Sequence, residues 1–324
     1  NMPNAKKNND KVISRESCPS GASTGTNEAR ELRDNSVSYL GKSVECAVKN
    51  VDKFSSSRYI DIPDITDQIT FDSKLCSFDG TELKENIGGN TTTAISFSVA
   101  SASSNLLNIE LFEHFRNTYK LVEKYKMPTP MVNILNGGKH AGGNLQIQEF
   151  MIRPDRARSF SEAIRICYIV INNLKKLIIK MGHSTSVGDE GGFAPMIKDN
   201  ELALKLIKKA IKNSGFKLGT EVSICLDVAA NELIKNKKYS IHSKKYLGVD
   251  KTISEYLKLI KKYKIKSIED PFAENDWSAW TKFLTQTGNK VQIVGDDLFV
   301  TNLERLKIGF LNISANSILI KLNQ

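Results

Sequence analysis

Four short apolar runs constrain this chain most, because each ends in a charge and helix-period segments separate them. "VSICLD" (222–227), "IKSIED" (265–270), "VQIVGDD" (291–297) and "SILIKLN" (317–323) read as strands. Between them, "TISEYLKLIKKY" (252–263), "DWSAWTKFLTQ" (276–286) and "NLERLKIGF" (302–310) read as helices. Alternation of this kind builds a parallel sheet, so the chain should form a (β/α) barrel or a doubly wound sheet. The helical rhythm starts upstream, in "FSEAIRICYIVINNLKKLIIKMG" (160–182) and "NELALKLIKKAIKNSG" (200–215), both ending at a glycine.

The strand ends carry Asp227, then Glu269 and Asp270, then Asp296 and Asp297, then Lys321. In a (β/α) barrel all C-terminal strand ends meet on one face, where active sites sit. A single acid after a strand usually caps the next helix. Acids in register over three successive units go beyond capping. Carboxylates held together repel until something neutralises them. A divalent cation does this, and ligation by oxygen alone suits magnesium. Lys321 is then a candidate base or charge clamp.

Three glycine-rich loops add further chemistry. "SVGDEGGFAP" (186–195) sets Asp189 and Glu190 between glycines, in a stretch that suits neither a regular helix nor a central strand. "NILNGGKHAGGNLQIQEF" (133–150) brings His140, Gln148 and Glu149 between glycine pairs. "PSGASTGTNEARE" (19–31) is a small-residue loop running into a helix; read alone it is a helix start with Ser23 or Thr24 as cap.

Ahead of these units the patterns are mixed. "GKSVECAVKNVDKF" (41–54) reads as a helix, and "TTAISFSVASASSNLLNIELFEHF" (92–115) as one or two helices. "PTPMVNIL" (128–135) reads as a linker entering a strand, and residues 1–16 as disordered. No apolar run approaches the roughly 20 residues of a membrane span, and the polar start shows no signal peptide. Five scattered cysteines argue for a reducing, cytoplasmic setting, and against a disulfide framework or zinc site. The net charge of +10 raises the question of nucleic acid. Its lysines, however, spread along helical patterns as solvated faces, so nucleic acid is not indicated.

Together these stretches resemble the enolase (phosphopyruvate hydratase) family, in a bacterial style. The resemblance rests on "PSGASTG", "NGGKHAGG…QEFM", "SVGDEGGFAP", "SIEDPF", "VGDDLFVTN" and "ANSILIKLNQ", and runs from about Ser17 to the end. It implies an α/β fold: an enolase-type (β/α) barrel over 125–324, preceded by a smaller α+β domain over 17–124. The implied reaction is the reversible dehydration of 2-phosphoglycerate to phosphoenolpyruvate in glycolysis, with two magnesium sites per subunit. Asp227, Glu269 and Asp296 would hold the first ion, and Ser23 the second. Lys321 would take the α-proton and hold substrate. Glu190 would act as general acid with Glu149 beside it, and His140, Gln148 and Glu149 would contact substrate. A homodimer or higher homo-oligomer is implied for the full-length form.

Departures from the family pattern set further expectations. No "DSRGNPT" segment stands before Cys18, and "NIGGNTTTAISFSVASA" (86–102) is a loose version of the family's "LGANAILGVSLA". The chain stops at Gln324, where the family continues through two more strands, a phosphate-gripping His-Arg-Ser loop and a second lysine. The expectation is an incomplete barrel, open at its edges, and a fragment with little activity of its own. Two other readings compete. A non-catalytic, RNA-binding relative is disfavoured because every acid, base and metal residue that can be checked is retained. Another superfamily enzyme is disfavoured by the joint presence of the "SGASTG" and "VGDEGG" loops.

Overall fold

Residues 12–21, 25–141, 145–197, 199–242 and 245–324 are described in a computed structural model of the chain. They fall into two units. One runs up to Tyr125 and includes Lys321–Gln324; the other spans Lys126–Ile320.

Four α-helices form the regular part of the first unit among the described residues: α1 (Glu45–Ser55), α2 (Gln68–Asp79), α3 (Gly89–Leu107) and α4 (Leu111–Thr118). Phe54 of α1, Phe71 and Leu75 of α2, and Ile87 ahead of α3 make a small buried core. The Phe54 and Phe71 rings meet edge-on at 5.8 Å, an arrangement that adds to the burial. The helix starts are chemically marked. Asp67 accepts from the Thr70 amide at 3.1 Å before α2, and Glu110 with Glu113 forms a capping box before α4. Of the segment expected to be disordered, residues 1–11 lie outside the described residues. Residues 12–16 follow an irregular path tied to α3, with Ser14 donating to the Ser98 carbonyl at 2.6 Å.

The second unit is built on a six-stranded sheet. Its elements run β1 (Val132–Asn136), β2 (Glu149–Arg153), α5 (Phe160–Lys180), α6 (Asn200–Asn213) and β3 (Ser223–Asp227). A meander follows, β4 (Ile234–Lys235), β5 (Lys238–His242) and β6 (Lys245–Leu247). Then come α7 (Val249–Tyr263), β7 (Ile265–Glu269), α8 (Trp277–Thr287), β8 (Gln292–Gly295), α9 (Leu303–Asn312) and β9 (Ser317–Ile318). The sheet order is β1-β2-β3-β7-β8-β9, antiparallel from β1 to β3 and parallel from β3 onward. Among the described residues no pairing joins β9 back to β1, so the barrel is incomplete.

The helices pack their apolar stripes on this sheet. In α5 the buried positions are Ala163, Ile166, Cys167, Val170, Leu174 and Ile178, which fall on one stripe of the helix. Every residue of β3 is buried, as a central strand covered on both faces must be. The parallel strands lie where the sequence places them. The sequence reading has a strand entered at 128–135, where β1 lies, but neither β2 and its antiparallel pairing nor the β4–β6 meander appears in it. The last strand is also shorter than "SILIKLN" suggests. It pairs with β8 on one side only, its final ladder bond running from the Leu319 amide to the Gly295 carbonyl at 3.0 Å. Beyond it Ile320 and Leu322 are exposed, and Lys321 lies past the strand rather than within it. No helix of the described residues is long and apolar enough to cross a membrane.

Candidate active site

Register carries the acids to one end of the sheet. Asn136, which ends β1, is paired with Glu149, which opens β2. Glu149 is opposite Asp227 at the end of β3, and Asp227 is opposite Glu269 at the end of β7. Glu269 in turn is level with Val294 of β8, two residues before Asp296. The antiparallel hairpin thus delivers its acid to the same rim as the parallel strands, although it runs the other way. This is the C-terminal strand end that hosts active sites in such folds.

The carboxylates there are buried and close. Oxygens of Asp227, Glu269 and Asp270 lie within 4.8 Å of one another, as do those of Asp270, Asp296 and Asp297. The trio singled out by sequence, Asp227, Glu269 and Asp296, is divided between these two sets. Asp270 belongs to both. All five residues are buried.

Burial sets their electrostatics. It pushes Asp227 up to about 7; the Ala229 amide opposes the shift, and the charges of Asp296, Glu190 and Asp297 add to it. Glu269 is raised well above the carboxylate range by burial and then by Asp227, Asp270, Asp296 and Glu149. Asp270 is raised well above it too, by burial and then by Asp297 and Asp227. Among the described residues, no lysine or arginine stands within ion-pair distance of Asp227, Glu269 or Asp270. Buried anions without a cation are costly. Acids grouped in this way could hold a cation.

Neighbouring polar groups fix the orientation of the acids. Gln148 donates through Nε2 to Asp227 Oδ2 at 3.0 Å, and through its amide to the Asp227 carbonyl at 3.1 Å. The Ala229 amide donates to Asp227 Oδ1 at 3.0 Å. Asn231 donates to Asp297 Oδ2 at 2.8 Å and accepts from the Glu274 amide at 2.9 Å.

The glycine loop at 186–195 is stitched to β1. The Asn136 amide donates to the Phe193 carbonyl at 2.8 Å, and the Phe193 amide to the Ile134 carbonyl at 3.1 Å. That brings Gly192 so close that an added Cβ would sit 2.3 Å from Asn136 Oδ1 and 2.8 Å from the Leu135 nitrogen. Gly191 turns with φ +82. The result is that Glu190 reaches the rim, where Asn136 Nδ2 donates to it at 3.4 Å and its charge acts on Asp227. The glycines are thus needed for close approach and for a left-handed turn.

Of the residues singled out by sequence, Glu149, Gln148, Glu190, Asp227, Glu269 and Asp296 come together at this rim. Ser23 lies outside the described residues. His140 falls in a short 3-10 turn, Gly138–Ala141, and its side chain is likewise outside them. Lys321 belongs to the first unit. The sequence reading noted Asp270 and Asp297 as strand-end charges without assigning them to the site, and it missed Asn136 and Asn231. The doubled acids after β7 and β8 are the signal that could have flagged the first pair.

Comparison with known proteins bears on the whole chain. Residues 124–324 match the family model "Enolase, C-terminal TIM barrel domain", and residues 6–115 match "Enolase, N-terminal domain". The N-terminal match therefore begins upstream of Ser17, where the sequence reading started it. The chain is 61% identical over 308 residues to the enolase of Pelagibacter ubique (strain HTCC1062), covering 95% of this chain and 72% of that protein.

Proposed function

This chain belongs to the enolase family, and from that premise we propose that its rim of buried acids holds magnesium and serves the reversible dehydration of 2-phosphoglycerate to phosphoenolpyruvate. The activity is that of a hydro-lyase of glycolysis. The observation that supports the metal reading best is the set of buried, oxygen-only donors at the ends of β3, β7 and β8. Such a set suits a hard cation. Asp227, Glu269 and Asp296 would hold the first ion, and Ser23 would contribute to a second.

The chemistry needs this charge. The proton removed sits beside a carboxylate, so negative charge builds on a group that is already anionic. Bound magnesium would offset that charge. Lys321 takes the α-proton and also contacts substrate. Glu190 delivers a proton to the departing hydroxyl, with Glu149 beside it. His140, Gln148 and Glu149 contact substrate. The protein works in the cytoplasm, and its full-length form is a homodimer or higher homo-oligomer.

The test separates acid from base in a protein of the relative's full length that carries these residues. Lys321→Ala should stop exchange of the α-proton of 2-phosphoglycerate with solvent. Glu190→Gln should stop formation of phosphoenolpyruvate and leave that exchange measurable. Equal loss of exchange in both, with folding and magnesium binding intact, would overturn the division of roles.

A further inference from the structure

Asp270 spends its carboxylate on the backbone of the next strand's end. Its Oδ1 accepts from the Asp296 amide at 3.1 Å and its Oδ2 from the Asp297 amide at 2.9 Å. Its own amide donates to the Val294 carbonyl at 3.0 Å, and its carbonyl accepts from the Ala230 amide at 3.1 Å. One residue therefore ties the ends of β3, β7 and β8 together.

The backbone at Asp270 is unusual. Its φ is +40, in a region that non-glycine residues seldom occupy. It also precedes Pro271, which narrows its choices further. A strained backbone persists where surrounding structure holds it, and such residues cluster at functional sites. From this turn both side-chain oxygens reach the two amides.

We propose that Asp270 is a positioning residue: its carboxylate clamps the Asp296–Asp297 backbone and so sets the direction in which Asp296 presents its oxygens to the cation. The inference rests on the magnesium reading above. It differs from a ligand role in what its loss does: the Asp296 and Asp297 amides that its two oxygens hold would be released. An outer partner of this kind typically carries 10–100-fold of metal affinity when lost.

Two variants test it. Asp270→Asn tolerates the left-handed φ and keeps one acceptor, but turns an NH2 towards the other amide. Asp270→Gly relieves the strain and removes both acceptors, so it remains informative if the asparagine variant fails to fold. Mn2+ binding is measured by calorimetry, and amide hydrogen exchange at Asp296 and Asp297 by NMR in chelator. The expected result is a folded chain with affinity down about 10–100-fold and faster exchange at those two amides. Affinity within about twofold of wild type would overturn the proposal. So would lost affinity with unchanged exchange, which would make Asp270 a ligand. A wild type that binds no Mn2+ would sink the magnesium reading instead, and exchange would still decide whether Asp270 holds the turn.

Discussion

Asp79 in the helical unit and Asp227 in the barrel are both buried aspartates at the end of a secondary element, and they behave oppositely. Asp79 closes α2 and is 2% exposed; Asp227 closes β3 and is 7% exposed. Asp79 accepts from the amides of Thr81, Asn86 and Ile87 at 2.9–3.1 Å, and from the Thr81 hydroxyl. Burial alone would raise its proton affinity, but those donors outweigh burial and hold it below the usual range. Among the described residues Asp227 has two donors to its carboxylate, the Ala229 amide and the Gln148 side chain, and it stands among like charges. It is pushed up to about 7. An acid supplied with donors serves the fold. An acid left among other acids stores unfavourable energy that a ligand can release.

The sharpest test of this contrast is Asp227→Asn. Removing a buried charged ligand should lower Mn2+ affinity on the order of a thousandfold, about 4 kcal/mol. In chelator at pH 8 the same variant should be no less stable than wild type, because one uncompensated buried charge is gone. Calorimetry and urea unfolding read the two effects. A variant that loses stability as heavily as affinity would place Asp227 in the same class as Asp79.

The pH dependence of stability in chelator comes next. In the unfolded chain Asp227 titrates near 3.9, and in the fold at about 7. The folded chain therefore holds the extra proton between those values. That stabilisation is complete below about pH 4 and is lost as pH rises through about 7. Glu269 and Asp270, also raised, act in the same direction. Asp79 has the opposite sign: its contribution is present above about pH 4 and is lost as pH falls through its lowered folded value. Asp227 alone should thus lower the unfolding free energy in chelator by about 3 kcal/mol from pH 5 to pH 8, and Glu269 and Asp270 deepen the drop. Saturating magnesium should flatten that slope by competing with the proton. A flat profile in chelator would show that the rim acids are already compensated.

Asp79→Ala probes the other half of the comparison. It strips the carboxylate from three amides and should cost about 2 kcal/mol of unfolding free energy, equally with and without Mn2+. Any change in Mn2+ affinity beyond about twofold would break the separation between a structural and a ligand-seeking acid.

The difference between these two acids was only half legible in the sequence. The rim was visible because β3, β7 and β8 are short apolar runs that stop at acids, and repetition made the acids stand out. Asp79 gave no such signal. It sits in α2, whose inward positions are Gln68, Phe71, Leu75 and Asp79, so half its buried stripe is polar and its helical period is faint. The β1–β2 hairpin was hidden for a related reason. Its strands flank a stretch of glycines and polar residues, and Glu149 opens β2 where a loop residue was expected. The meander reads as polar because Lys235, Lys238 and Lys245 face outward. Spacing also could not say which member of Glu269-Asp270 or Asp296-Asp297 would face a cation held there. That depends on the left-handed turn at Asp270, which sequence alone does not reveal.

Gln148 gives the smallest and finest test. By resemblance it is a substrate contact, yet in the structure its Nε2 donates to Asp227 at 3.0 Å. A donor to a carboxylate stabilises the charged form and lowers its proton affinity. Gln148→Met keeps the length and removes the donor, so Asp227 should hold its proton more tightly. Cation binding must displace that proton. Mn2+ affinity at pH 6.5 should therefore fall up to about fivefold, the worth of one hydrogen bond of about 1 kcal/mol. At pH 9, where Asp227 is ionised with or without the donor, the affinities of variant and wild type should converge. Equal weakening at both pH values would mean that Gln148 acts by holding the Asp227 side chain in place. No change at either would mean that Asp227, like Asp79, owes its protonation behaviour to groups other than this one amide.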